Sequence, residues 1–181
     1  MKCAHAMVDL ETLSTENNAV IVSIGIALFD EENVVKQFYL PIDLSSYDYF
    51  MEGVFHISTS TVLWWMKQSD EARKVFSDSR AESIKTALPA VKAFLETHAT
   101  SGVKVWGNGS DFDNVILANA YKACEMKLPW KYYNNRCYRT VKDLCPGVPI
   151  IREGTHHNAL DDAVNQAKHL IELNKYDMEV F

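Results

Sequence analysis

Long apolar runs, paired cysteines and an excess of positive charge are all missing from this chain of 181 residues. No apolar stretch approaches the ~20 residues a membrane-spanning helix needs, so no membrane partner is expected. The opening MKCAHAMVDLET is not a signal peptide, because its apolar stretch is short and reaches an acidic pair almost at once. Cys3, Cys124, Cys137 and Cys145 form no CxxC pair and no zinc pattern, and read as reduced thiols of a cytoplasmic protein. There is no GxSxG, no P-loop and no GxGxxG, which removes the usual serine nucleophile and phosphate cradles. A net charge of −6 argues against coating nucleic acid by bulk attraction but allows a local grip on an end. There is also no repeat, low-complexity tract or linker. The length fits one domain over residues 1–181, with 48% apolar and 23% charged residues, the profile of a folded soluble protein.

The charge is unevenly spread. Between Lys122 and Arg152 lie seven cations against two acids, interleaved with Trp130, Tyr132, Tyr133 and Tyr138. This mixture suits a surface that holds a nucleic-acid backbone and stacks bases, and it equally suits a solvated loop.

Hydrophobic periodicity predicts strands over Ala4–Leu10, Ala19–Phe29 and Val34–Ile42. The second, AVIVSIGIALF, is apolar and β-branched throughout, as in a strand buried on both faces. Helices are expected over Ser58–Lys67, Asp70–Phe76 and Ala81–His98, with Pro89 kinking the last or starting its second half. A short strand over Val103–Trp106 and helices over Phe112–Met126 and Asn158–Leu173 follow. The fold class is α/β: a central mixed sheet with an N-terminal antiparallel meander, flanked by helices.

Chemistry-bearing residues fall in three places. In 9-DLE-11, residues i and i+2 of a strand put Asp9 and Glu11 on one face. Two close carboxylates repel unless neutralised, and hard divalent cations are the usual solution. A solvated strand end is the other reading. In 107-GNGSDFDNVIL-117, Asp111 fits a helix N-cap and Asp113 sits where it can project into a cleft. In 156-HHNALDDA-163, a helical wheel groups Asp161 with Asn165, Lys168 and Glu172 on a solvent face. Asp162 falls with Gln166 and His169, beside the apolar stripe. His157 then stands at the mouth of a site floored by Asp162. Four carboxylates and a histidine suit a hydrolase in which two metal ions clamp an in-line phosphoryl displacement and the histidine accepts the proton of water.

These residues resemble the DEDD-type 3′–5′ exonucleases of the ribonuclease-H-like fold, in the histidine-containing (DEDDh) branch that includes ribonuclease T, oligoribonuclease and the polymerase III proofreading subunit. The motifs matched are 8-VDLET-12, 112-FDNVIL-117 and 157-HNALDDA-163, in the family's order and spacing. Segments 63-LWWMKQSDEAR-73 and 104-KVWGNGSDFDN-114 are most similar to compact stand-alone bacterial and phage members. The resemblance implies Asp9, Glu11, Asp113 and Asp162 as ligands of two Mg²⁺ or Mn²⁺ ions and His157 as general base. Leu10, Thr12 and Phe112 would adjoin the substrate. The segment 55-FHIST-59 is similar to one lining the family's nucleotide pocket, which brings in His56, although the glycine usual after that histidine is absent. Arg139 and Arg152 would hold phosphates or be plain surface charges. Trp64 and Trp65 would stack on a base or pack in the core or a subunit interface, with packing favoured. The implied partner is the single-stranded 3′ end of DNA or RNA, and the implied assembly is a monomer or homodimer. The expected product is a nucleoside 5′-monophosphate. Two rivals remain: a binding module with a degenerate nuclease fold, and a hydrolase of very short oligonucleotides.

Overall fold

The computed structural model describes residues 2–48 and 53–175. Three strands open the chain, β1 (Cys3–Thr12), β2 (Ile21–Phe29) and β3 (Val34–Pro41). Helices α1 (Ser45–Asp48), α2 (Thr59–Trp65), α3 (Asp70–Arg73) and α4 (Ile84–His98) lead to β4 (Ala99–Gly107) and α5 (Asp113–Ala123). The chain then forms β5 (Asn135–Cys137), α6 (Tyr138–Leu144) and α7 (Ala159–Asn174). The sheet order is β3-β2-β1-β4-β5. Pairs β1–β2 and β2–β3 are antiparallel, while β1–β4 and β4–β5 are parallel. This is the mixed sheet with an N-terminal meander that the hydrophobic pattern implies.

Each face of the sheet carries its own core. Val8, Leu10, Ile24, Ile26 and Leu28 pack with Ile84, Leu88 and Val91 of α4 and Ile116 and Leu117 of α5. Met7, Ala27, Phe29 and Trp106 pack with Tyr138 of α6 and Ala163, Ala167 and Leu170 of α7. Strand β2 is buried along its whole length, as a strand covered on both faces must be. The two-residue period of β1 sends Val8 and Leu10 to the α4–α5 side, and Met7, Asp9 and Glu11 to the α7 side.

Strand register brings α7 unusually close. Asp9 pairs with Gly25 and Glu11 with Ser23, so only small residues of β2 flank the acidic pair. A Cβ on Gly25 would lie 2.1 Å from the Ala159 carbonyl oxygen, at the first residue of α7. The helix start thus rests directly on the β2 backbone. Gly25→Ala forces α7 outward and destabilises the protein by about 1–3 kcal/mol, the usual cost of overpacking. A urea midpoint equal to that of the wild type would contradict this contact.

Several expectations need correction. Helix α4 runs through Pro89 as one 15-residue helix. Pro89 is on its exposed side, so the interrupted backbone bond is at the solvent, while Ile84, Leu88, Val91 and Leu95 are buried. Segment Asp70–Phe76 is a short α-helix followed by a 3₁₀ turn over Lys74–Ser77. The cation-rich segment is half core: Trp130 and Tyr138 are buried, Tyr132 and Tyr133 exposed. It also contains β5 and α6, too short for periodicity to reveal. All four cysteines are free, and no helix among the described residues is long and apolar enough to cross a membrane.

Candidate active site

The carboxylates of three separate motifs meet at one end of the sheet. Asp9, Glu11, Asp113, Asp162 and His157 line a single cleft of about 210 Å³, together with Leu10, Asn108, Phe112, Arg139, Arg152, His156 and Gln166. Oxygens of Asp9, Glu11 and Asp162 lie within 4.8 Å of one another.

Each carboxylate is held by its own partners. Asp113, in the first turn of α5, accepts the Leu10 amide at 3.1 Å and the Asn108 amide at 3.0 Å. It therefore ties the end of β4 to β1. Asp111 is exposed and is not the N-cap expected of it; Phe112 holds that position, with no side-chain hydrogen bond. Asp9 accepts the Gln166 side-chain amide at 2.7 Å. Asp162 accepts the Arg152 guanidinium at 2.7 Å through Oδ1 and the His157 amide at 2.9 Å through Oδ2. Asp162, Gln166 and His169 are all buried, as the helical wheel requires.

Asp161 and Asn165 do not form the solvent face assigned to them. Asp161 accepts the Thr155 amide at 2.7 Å. Asn165 is buried and exchanges two hydrogen bonds with the Glu153 backbone. Residues 152–157 are thereby strapped along α7. Gly154, at φ +78°, lets the loop pass so close that a Cβ would meet the Asp161 carboxylate at 2.5 Å. The strap ends in His157, whose φ of +64° is the left-handed conformation that few non-glycine residues adopt. The wheel omitted it because a helix viewed alone has no loop to cover it. Asn158 caps α7 by accepting the Leu160 and Asp161 amides.

The His157 ring stands edge-on to Trp64, with centroids 4.7 Å apart. Trp65 is buried, and its indole donates to the Thr12 carbonyl at 2.9 Å. It therefore packs beneath the site and cannot stack on a base; Trp64 is the exposed member of the pair. A second pocket of about 420 Å³ adjoins the cleft, lined by Leu10, Glu11, Thr12, Ser14, Thr15, Ser60, Thr61, Trp64 and Phe112. Thr12 is there as the first motif implies, whereas Ser14, Thr15, Ser60 and Thr61 carry no motif and were not legible from the chain. His56 is outside both pockets. Its Nδ1 is 2.7 Å from Ser14 Oγ, and its backbone bridges Ala19, so it buttresses the pocket wall. Arg139 donates to the Asn108 carbonyl at 2.6 Å, at the rim.

The electrostatics are those of an under-neutralised acidic cluster. Burial, followed by the charges of Asp113, Glu11 and Asp162, holds the Asp9 carboxyl well above the usual carboxylate range. Burial and the Asp162 and Asp113 charges push Glu11 up to about 8. Burial raises Asp113 to about 7 against the pull of its amide donors. Burial and the neighbouring His156 lower the His157 imidazole, while Asp162 acts in the opposite sense. Gln166 Oε1 and Asn108 Oδ1, both in residues lining the cleft, are buried without a hydrogen-bond partner. Surplus acceptors around four carboxylates are a donor set suited to hard divalent cations.

The raised carboxyls make stability depend on pH. With folded-state values above the unfolded values of about 4, Asp9, Glu11 and Asp113 hold more protons in the native protein than in the unfolded chain up to neutral pH. In chelator the stability that these carboxyls contribute is greatest at low pH and is lost as pH rises through 7–8, where Asp113 and Glu11 ionise, while buried His5, lowered to about 4, acts in the opposite sense below its unfolded value. In EDTA the melting temperature should fall between about pH 6.5 and 8.5, and Mg²⁺ or Mn²⁺ should reduce the fall. An Asp9→Asn variant with the same pH slope as the wild type would contradict the coupling.

Comparison with known proteins agrees with this geometry. The family model of the 3'-5' exoribonuclease Rv2179c-like domain matches residues 4–173. The chain belongs to this family. It is a DEDD-type 3′–5′ exonuclease with the ribonuclease-H-like fold. The exodeoxyribonuclease of enterobacteria phage T4 is 26% identical over 160 residues, which cover 74% of this chain and 68% of the phage protein. Among solved structures, the exonuclease domain resembles the nuclease domain of 3'hExo, a DEDDh family member bound to rAMP. That match has a TM-score of 0.67 and 14% identity, and covers 98% of this chain and 94% of that one. The zinc-bound complex of E. coli ExoI with single-stranded DNA has a TM-score of 0.62 at 16% identity; the match covers 96% of this chain but only 40% of ExoI.

Proposed function

We propose that this exonuclease, acting as one domain over residues 1–181, shortens single-stranded nucleic acid from its 3′ end and releases nucleoside 5′-monophosphates. The observation that carries the reading is the convergence of Asp9, Glu11, Asp113, Asp162 and His157 on one cleft. Asp9, Glu11, Asp113 and Asp162 would hold two Mg²⁺ or Mn²⁺ ions. When bound, such ions supply Lewis-acid stabilisation of the charge that builds on the phosphate oxygens.

The chain's own residues supply the rest. His157, its imidazole kept neutral by burial, accepts the proton of the attacking water. Trp64, Leu10 and Phe112 take the apolar face of the terminal nucleotide in the 420 Å³ pocket, whose hydroxyls from Thr12, Ser14, Thr15, Ser60 and Thr61 face its polar atoms. Arg139 at the rim pairs with the backbone phosphate. Arg152 neutralises Asp162 in this structure and is the second cation within reach of a phosphate.

The intact carboxylate set supports an active enzyme over a degenerate binding module. Free cysteines support a cytoplasmic setting. Exposed Ile57, Leu63 and Met66 offer apolar surface for a homodimer. The deciding experiment is a digest of matched single- and double-stranded RNA and DNA, in a series of lengths, with Mg²⁺, Mn²⁺ or EDTA. Stepwise shortening of single strands from the 3′ end, blocked by EDTA, is the expected result. Cleavage confined to the shortest oligomers would favour the short-oligonucleotide hydrolase, and internal cuts would overturn the reading.

A further inference from the structure

His156 has no part in the reaction above, yet it is built into the rim of the cleft. Its ring lies against that of His157, with centroids 3.8 Å apart. A nitrogen of each imidazole and an oxygen of Asp162 lie within 4.8 Å of one another. We infer that His156, His157 and Asp162 form a zinc site at the mouth of the cleft, adjoining the carboxylate centre and sharing Asp162 with it, and that zinc bound there switches the enzyme off.

The donor set makes the distinction. Two imidazoles and one carboxylate are a borderline-soft set that favours Zn²⁺, whereas an all-oxygen set favours Mg²⁺. Three protein ligands and a water complete a four-coordinate zinc. With bonds of about 2.0–2.1 Å, the ligand atoms of a tetrahedral site are roughly 3.4 Å apart, so a modest closing motion suffices. Two of the three ligands are already fixed. Asp162 is buried in α7 and anchored through Oδ2 by the His157 amide, while Oδ1 pairs with the Arg152 guanidinium, which zinc displaces. His157 is set by its left-handed backbone and walled by Trp64. His156, exposed, is the ligand free to turn.

Asp162 belongs to both groups of ligands, with Asp9 and Glu11 on one side and the two histidines on the other. Zinc in the histidine site occupies the nitrogen lone pair that His157 needs for a proton, and it draws on an oxygen of Asp162. The inhibition rests on the role proposed for His157; the binding does not.

The test uses the whole chain in saturating Mg²⁺, so that the carboxylate centre is engaged, with zinc titrated against a chromophoric chelator and, in parallel, into an exonuclease assay. Wild type should bind one Zn²⁺ per chain and lose activity over the same range. Loss of even a hydrogen-bond partner of a metal-bound histidine costs about 10–100-fold in affinity. His156→Ala should therefore keep its Mg²⁺-supported activity and need at least about tenfold more zinc for both binding and inhibition. Equal zinc affinity in the two proteins would mean that zinc sits on the carboxylates alone, and would overturn the site. So would a wild type that binds no zinc. If zinc binding depends on His156 in a protein without nuclease activity, the site stands and the nuclease reading fails.

Discussion

Replacing Asp162 with alanine lowers kcat by more than the ~10²–10⁴ that a general base supplies, and activity does not return when Mn²⁺ is raised. Asp162 is the point where α7, the His157 amide and the Asp9–Glu11 pair meet, so its loss removes a ligand and frees the loop together. The same loss of activity is expected of Asp9→Asn and Asp113→Ala, but their stabilities should diverge. Asp9→Asn keeps the hydrogen bond from Gln166 and removes a buried carboxyl whose ionisation its acidic neighbours oppose, so the protein in EDTA at pH 8 should melt higher than the wild type. Asp113→Ala leaves the Leu10 and Asn108 amides without their acceptor. An unsatisfied buried donor costs roughly 1–3 kcal/mol, so that variant should melt lower despite the lost repulsion. Activity assays with thermal melts check both halves. An Asp162→Ala enzyme of ordinary activity would remove Asp162 from the centre.

His157→Ala should cost ~10²–10⁴ in kcat with little change in metal affinity, while His156→Ala leaves kcat unchanged. The geometry separates the two. His157 is half-buried between Trp64 and Asp162, whereas His156 is exposed on its outer side. The pH profile gives a second check. With saturating metal the acidic limb reports His157 and should lie below the ordinary imidazole value, because burial and His156 lower it. With limiting metal the limb should move upward, since the raised carboxylates must lose protons before they can act as ligands. If His156→Ala takes the large loss and His157→Ala does not, the assignment within the doublet is reversed.

The site was legible where the chemistry repeats a local rule. The strand period sent Asp9 and Glu11 to one face, and the wheel turned Asp162 and Gln166 inward. Those rules govern side-chain direction within one element, and they held. What the sequence hid depends on two elements at once. Asp161 and Asn165 look solvent-facing until residues 152–157 fold back over them. Trp64 and Trp65 are equivalent in sequence, and only the packing of α2 against β1 sends one to the pocket and the other to the Thr12 carbonyl. His56 carries the family's residue but braces Ser14 from outside the pocket. Strand β5 has three residues and pairs only because β4 is beside it, so no periodicity could announce it.

The central claim is that four carboxylates from β1, α5 and α7 form one metal centre. The most direct measurement is a calorimetric titration of Mn²⁺ into the wild type and into Asp9→Asn, both without substrate. Two Mn²⁺ per chain in the wild type, with at least one lost or much weakened in the variant, is the predicted result. A wild type that binds no Mn²⁺, or an Asp9→Asn variant that binds it with the same number and affinity, would contradict the account.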